Sequence, residues 1–205
     1  MDYQKGSKHM NTLSSNNSLV SDIVGKQTND LMFIIYSSII GSILLALSSK
    51  IQIPLTPVPV TLQTMVLLVM SMFLGWRGAL GATILYLFQG AAGLPVFAHG
   101  SGIIYLFGPT GGYLFGFILA SILVGFLAER DWDKSIILTF CAMTIGTLVI
   151  YICGISWLAF LKDINTAIIF GLLPFITPDI LKICLGSCIV AAGWELKNKY
   201  LNMDN

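Results

Sequence analysis

Asp179 and Lys182 stand one helical turn apart near the start of the last apolar stretch of the chain, a region otherwise almost without charge. An ionisable group inside a bilayer is costly, so finding one there points to a ligand or ion pathway. A spacing of three puts both side chains on one helix face. Together they offer a carboxylate acceptor and an ammonium with three donors, which suits a small polar head group better than a bare ion. The same spacing also fits a mutually neutralised pair that only joins helices, and the position of the pair has to decide between the two. Enzymatic chemistry would need a nucleophile, base or metal cluster beside it. One Asp–Lys pair and one loop histidine, His99, do not supply that.

The elements around the pair are membrane spans. The chain has 205 residues, 56% hydrophobic and 10% charged, against roughly 25% charged in soluble domains. The expectation is an all-α integral membrane protein, because open sheet edges cannot be hydrogen-bonded in lipid. Six apolar segments follow a polar start: 31–49, 61–75, 78–90, 111–128, 135–161 and 178–194. The second and third are shorter than the roughly 20 residues that cross a bilayer, so they are expected to be packed among other helices or broken at their ends. Residues 166–175 are apolar but end at Pro174, which reads as a half-helix. Residues 1–30 are a polar, flexible segment, of which Gly6-Ser7-Lys8-His9-Met10 is similar to a vector remnant and 19–24 could form an interfacial turn. Residues 31–195 form the six-helix domain and 196–205 a tail. With six spans, Lys5, Lys8, Lys26, Arg77, Arg130, Lys134, Lys197 and Lys199 share one side, while only Lys50 and Lys162 lie on the other. That bias places both termini in the cytoplasm of a multi-pass protein of a bacterial cell membrane. Cys141, Cys153, Cys184 and Cys188 lie in apolar segments without further ligands, so neither a metal site nor a disulfide framework is expected. No basic patch suggests nucleic acid.

The loops on the side away from the positive charges are rich in Pro and Gly, poor in charge and unusually apolar: 50–61, 93–113 and 174–179. Irregular backbone at membrane depth must be buried in protein or line a cavity. These loops should therefore roof a pocket, with Asp179 and Lys182 directly beneath. An apolar cavity with a few placed polar groups is the usual small-molecule site, and this favours a ligand over a helix-joining pair. Gly111 and Gly112 open the fourth span, where free N–H groups could receive a carboxylate or carbonyl.

The loop runs Thr56-Pro-Val-Pro-Val-Thr-Leu-Gln-Thr64, Gly93-Leu-Pro-Val-Phe-Ala98 and Gly108-Pro-Thr-Gly-Gly-Tyr-Leu-Phe-Gly-Phe117 resemble, in order and spacing, the signatures of BioY-type biotin transporters. The resemblance continues through Gly154-Ile-Ser-Trp-Leu158 and Pro174-Phe-Ile-Thr-Pro-Asp-Ile-Leu-Lys182. That family usually has Pro-Gly before the aspartate, where Thr177-Pro178 stands here; proline is at home in the first turn of a helix, so a helix start is expected there. The resemblance implies a substrate-binding S-component of an energy-coupling-factor (ECF) transporter: six helices that capture biotin from outside with high affinity, with no chemistry and no cofactor of their own. Asp179 and Lys182 align with polar ligand contacts of the family; the first can accept ureido N–H bonds, and the second can donate to the ureido carbonyl or hold the aspartate ionised. Tyr86, Phe97, Tyr113 and Trp157 are candidates for the ring and tail, although Tyr86 and Trp157 serve equally as core or interfacial aromatics. Gln89, His99, Ser101 and the amides of Gly100 or Gly102 are candidates for the carboxylate; Gln89 could instead cap its helix and His99 be a solvated loop residue. An S-component for another vitamin, or a structural subunit without ligand, shares the same outline.

Ser38, Ser42 and Ala46 place small residues four apart on the first span, which lets another helix approach in lipid. The resemblance implies a docking surface for the transmembrane coupling protein there; internal packing would use the same stripe. No run fits G-x-x-x-x-G-K-[ST], so the pair of ATPase subunits that such a transporter needs must be separate chains.

Overall fold

The structure is a computed structural model, and it describes residue 19 and residues 30–203. The 19–24 turn, apart from Leu19, and most of the polar start lie outside the described residues. Among them, five helical stretches are long and apolar enough to cross a membrane. The elements are α1 (Asp30–Ser49), β1 (Gln52–Ile53), β2 (Val60–Thr61), α2 (Gln63–Ala91), α3 (Ile103–Leu106), α4 (Gly111–Ala128), a 3-10 turn (Trp132–Lys134), α5 (Ile136–Leu161), α6 (Ile164–Gly171) and α7 (Leu173–Met203). The architecture is all-α apart from β1 and β2, which pair antiparallel, Gln52 with Thr61 and Ile53 with Val60.

α2 combines the second and third apolar segments and breaks between them. Gly75 has φ 70° and ψ 178° inside the helical run, a region open essentially to glycine alone. The chain reverses there. Gln63 and Tyr86 hydrogen-bond at 2.7 Å although 23 residues separate them, a span of about 34 Å along a straight helix. On α1, Gly41 lies against both Met70 and Ala82, one from each side of the break. α2 is thus a helical hairpin with arms 63–74 and 76–91. The Glu129 carboxylate accepts the Trp76 N–H at 3.3 Å at the tip of the hairpin. Burial raises the Glu129 pKa against the opposing pull of that N–H and of Arg77.

α4 packs between the α2 hairpin and α5, α1 packs on α2, and α6 and α7 complete the bundle against α5. Close approach of α4 and α5 depends on Gly116, where a Cβ would lie 2.9 Å from the Ile150 Cα. α6 begins at Asp163, whose carboxylate accepts from the Thr166 N–H at 2.9 Å and the Thr166 hydroxyl at 2.6 Å. It ends at Gly171, before Pro174. The last helix starts at Leu173, five residues earlier than the segment 178–194 implied, so Pro178 sits inside it rather than in its first turn. There Pro178 removes only the bond to the Pro174 carbonyl. The same helix continues to Met203, so the first part of the 196–205 tail is helical.

One end of the bundle gathers the turn at Gly75, Glu129 to Lys134 and the end of α7, where Lys134 and Lys197 lie over the Trp194 ring at 5.4 and 4.2 Å. The apolar loops occupy the other end. Val58, Val60 and Phe97 are buried there, as expected of loops that fold inward over the helices.

Candidate substrate site

Asp179 is 3% exposed and lies near the loop end of α7. Its Oδ1 pairs with Lys182 Nζ at 2.7 Å and accepts from the Thr64 hydroxyl at 3.3 Å. Its Oδ2 accepts from the Tyr151 hydroxyl at 2.6 Å. Lys182 spends its donors on three partners: the Thr61 carbonyl at 2.6 Å, the Thr64 hydroxyl at 3.2 Å and Asp179. An ion pair this enclosed is tolerable only when its remaining polar atoms are hydrogen-bonded, and here they are. Charge-assisted bonds of 2.6–2.7 Å are the strong kind. Each helix supplies what its position allows: α7 the ion pair, α5 the tyrosine, and the β2–α2 junction the two threonines.

This cluster forms the polar patch of an otherwise largely apolar cavity, the usual character of a small-molecule site. Val58, Pro59, Phe97 and Ala98 come from the loops, Tyr86 from α2, Tyr105 from α3, Thr110, Tyr113, Leu114 and Phe117 from the α4 end, and Phe175 from α7. Phe97 is fully buried, stacked on Tyr105 at 4.8 Å and edge-on to Tyr86 at 5.5 Å. Tyr113 stacks on Phe175 at 6.0 Å and donates to the Gly171 carbonyl at 2.8 Å.

Of the residues singled out by sequence, the structure brings together Asp179, Lys182, Tyr86, Phe97 and Tyr113. The others lie elsewhere. Gln89 donates to the Ser42 hydroxyl at 3.4 Å, facing α1. His99 is exposed and outside the cavity lining. Trp157 donates to the Gly108 carbonyl at 2.9 Å and holds the α3–α4 junction. Gly111 and Gly112 are packed against Leu106, Cys153 and Trp157, so they permit close packing without lining the cavity. The residues that sequence reasoning passed over are Thr61, Thr64, Tyr105 and Tyr151. Thr61 and Thr64 stand inside a motif already noticed; Tyr151 carries no local signal in a uniformly apolar helix.

The small residues expected to form a docking stripe lie against other parts of this chain. Ser38 lies against Gly81, Ser42 is fully buried beside Gln89, and Ala46 packs on the core. α2 therefore fills this stripe from within. Ser37 and Gly41 also meet α2, at Gly78 and at Met70 and Ala82, and lie buried at the floor of an apolar groove between α1, the first arm of α2 and Ile189 of α7.

Among the described residues no group of His, Cys, Asp or Glu could hold a metal ion. The profile of the BioY family matches residues 17–199. A probable biotin transporter BioY of Rickettsia prowazekii is 34% identical over 177 residues, covering 84% of this chain and 89% of that protein. The biotin transporter BioY of Thermotoga maritima is 39% identical over 163 residues, covering 78% and 92%. A crystal structure of the S-component for biotin from an ECF-type ABC transporter superposes with TM-score 0.70 at 26% identity, covering 81% of this chain and 93% of that one. A membrane bundle with one ion pair under apolar loops, matched by this family over almost its whole length, belongs to the BioY family.

Proposed function

We propose that this chain is the high-affinity biotin-capturing S-component of an ECF importer, a transport protein rather than an enzyme. The observation that carries the reading is the buried Asp179–Lys182–Tyr151–Thr64 cluster set in an aromatic cavity. Biotin has two ureido N–H donors and a carbonyl at one end, an apolar bicycle, and a tail ending in carboxylate. Asp179 accepts the ureido N–H groups and Lys182 exchanges one of its present partners for the ureido carbonyl. Tyr86, Phe97, Tyr105 and Phe175 cover the bicycle and tail. The Thr110 hydroxyl, at the start of α4 and in the cavity lining, meets the carboxylate.

Both arms of α2 cross with α1, α4, α5 and α7, which makes six spans. An even number leaves both termini on one side, and the basic residues at the Arg77, Arg130, Lys134 and Lys197 end make it the cytoplasm. The cavity then opens outward. The coupling protein docks on the Ser37–Gly41 groove, and the ATPase pair binds that protein. Uptake of labelled biotin by a biotin-auxotrophic host without a transporter of its own tests this reading. Uptake should require this chain and rise with the coupling protein and ATPases. Correctly inserted protein that takes up thiamine or riboflavin instead would reassign the substrate.

A further inference from the structure

Three successive carbonyls of the loop that roofs the cavity accept hydrogen bonds from side chains at the end of α1 and the start of β1. Ser49 Oγ shares its one hydrogen between the Val96 carbonyl at 2.8 Å and the Ala46 carbonyl at 2.7 Å. Lys50 Nζ donates to the Phe97 carbonyl at 2.6 Å, and Gln52 Nε2 to the Ala98 carbonyl at 3.2 Å, while the Tyr86 hydroxyl also donates to the Val96 carbonyl at 3.3 Å. Phe97 and Ala98 both line the cavity. The Phe97 ring of this loop sits fully buried between Tyr86 and Tyr105. Gln52 is also paired with Thr61 across the β1–β2 ladder, and the Thr61 carbonyl takes Lys182. The end of α1 thus touches the roof directly and the polar cluster through one strand pair. The buried Gln52 Oε1 has no partner, so this side chain is held by its amide nitrogen alone.

We propose that Ser49, Lys50 and Gln52 form a clamp that positions Phe97 over the cavity and so sets the rate at which a bound ligand leaves. None of the three lines the cavity; they are positioning residues that act through the loop. Lys50 is the strongest member, because its bond is charge-assisted. The clamp also makes α1 a lever: a displacement of α1, whose other face forms the apolar groove, pulls on the roof. This rests on the reading of the cavity as a biotin site, and its test separates the two.

The variants are Lys50→Met, Lys50→Arg and Ser49→Ala/Lys50→Met, with Lys162→Met as a control lysine on another loop. The first readout is amide hydrogen exchange of residues 94–102 in the ligand-free protein. Lys50→Met should speed it about ten-fold, the double variant more, and Lys50→Arg and Lys162→Met within two- to three-fold of wild type. The second is the rate at which bound labelled biotin is released into excess unlabelled biotin, which should rise in the same order while the apo melting temperature stays near wild type. Unchanged exchange in both Met-containing variants overturns the clamp, as does faster exchange with wild-type biotin release. Wild-type protein that binds no biotin removes the ligand reading, and the exchange measurement then decides the clamp alone.

Discussion

Both oxygens of Asp179 and all donors of Lys182 are engaged before any ligand arrives, so the site is arranged in advance and a ligand exchanges partners rather than creating them. Removing one partner leaves the others unsatisfied in a dry environment. Asp179→Asn and Lys182→Met should each weaken biotin binding by about ten- to hundred-fold, from ~1.5–3 kcal/mol for a charged hydrogen bond, with the aspartate change the worse. Tyr151→Phe keeps the ring and deletes one bond to Oδ2, so its effect should be about five-fold, from ~1 kcal/mol. Titration calorimetry beside apo melting temperatures checks all three. Variants that lose thermal stability but bind normally when folded would show that the cluster only joins helices. Asp179 and Lys182 were legible in the sequence because charge stands out in an apolar stretch. Tyr151 and Thr64 were not: a hydroxyl among apolar residues carries little signal, and Thr64 lies 115 residues from its partner.

The turn at Gly75 and the turn before α5 show how helices in this chain are joined. Gly75→Ala should cost ~1–3 kcal/mol, because the backbone there suits glycine alone and an added Cβ would lie 2.5 Å from Glu129 Oε1. Unfolding in mild denaturant would show it, and a variant as stable as wild type would contradict the hairpin. The break between the second and third segments was legible, since Trp76 and Arg77 interrupt the apolar run between 61–75 and 78–90. The strand pair was not, because two-residue strands leave no periodic pattern. Nor was the facing of α1: Ser37, Ser38, Gly41 and Ser42 are all small, and only packing shows that all four meet α2. Asp133, in the turn before α5, is 1% exposed, accepts from Trp194 Nε1 at 3.1 Å through Oδ2 and leaves Oδ1 unpartnered. Burial pushes its pKa up to about 6 from 3.8, against the pull of the Trp194 bond and Lys134. A raised carboxyl pKa means that the folded state favours the proton. Its stabilising effect is full below about 4 and lost as pH rises through about 6. Asp133→Asn should accordingly melt a few degrees above wild type at neutral pH and show no such gain at pH 4. A gap that does not change with pH would contradict this.

As a whole, the molecule separates its tasks: a polar cluster under apolar loops at one end, basic residues at the other, and an apolar groove along α1. Ile40, 59% exposed, lines that groove, whereas Ile43, 50% exposed on the same helix, does not. Ile40→Trp should reduce co-purification with the coupling protein and leave biotin affinity unchanged, while Ile43→Trp should affect neither. Equal effects of the two would mean that the groove is not the docking surface. All of this depends on what the cavity holds. Calorimetric titration of the purified wild-type chain in lipid nanodiscs with biotin, and with thiamine and riboflavin as competitors, answers that. Saturable binding of biotin at or below micromolar concentration, undisturbed by either competitor, is the expected result. Folded protein that releases no heat with biotin at that concentration, or that gives it up to thiamine or riboflavin, would contradict it.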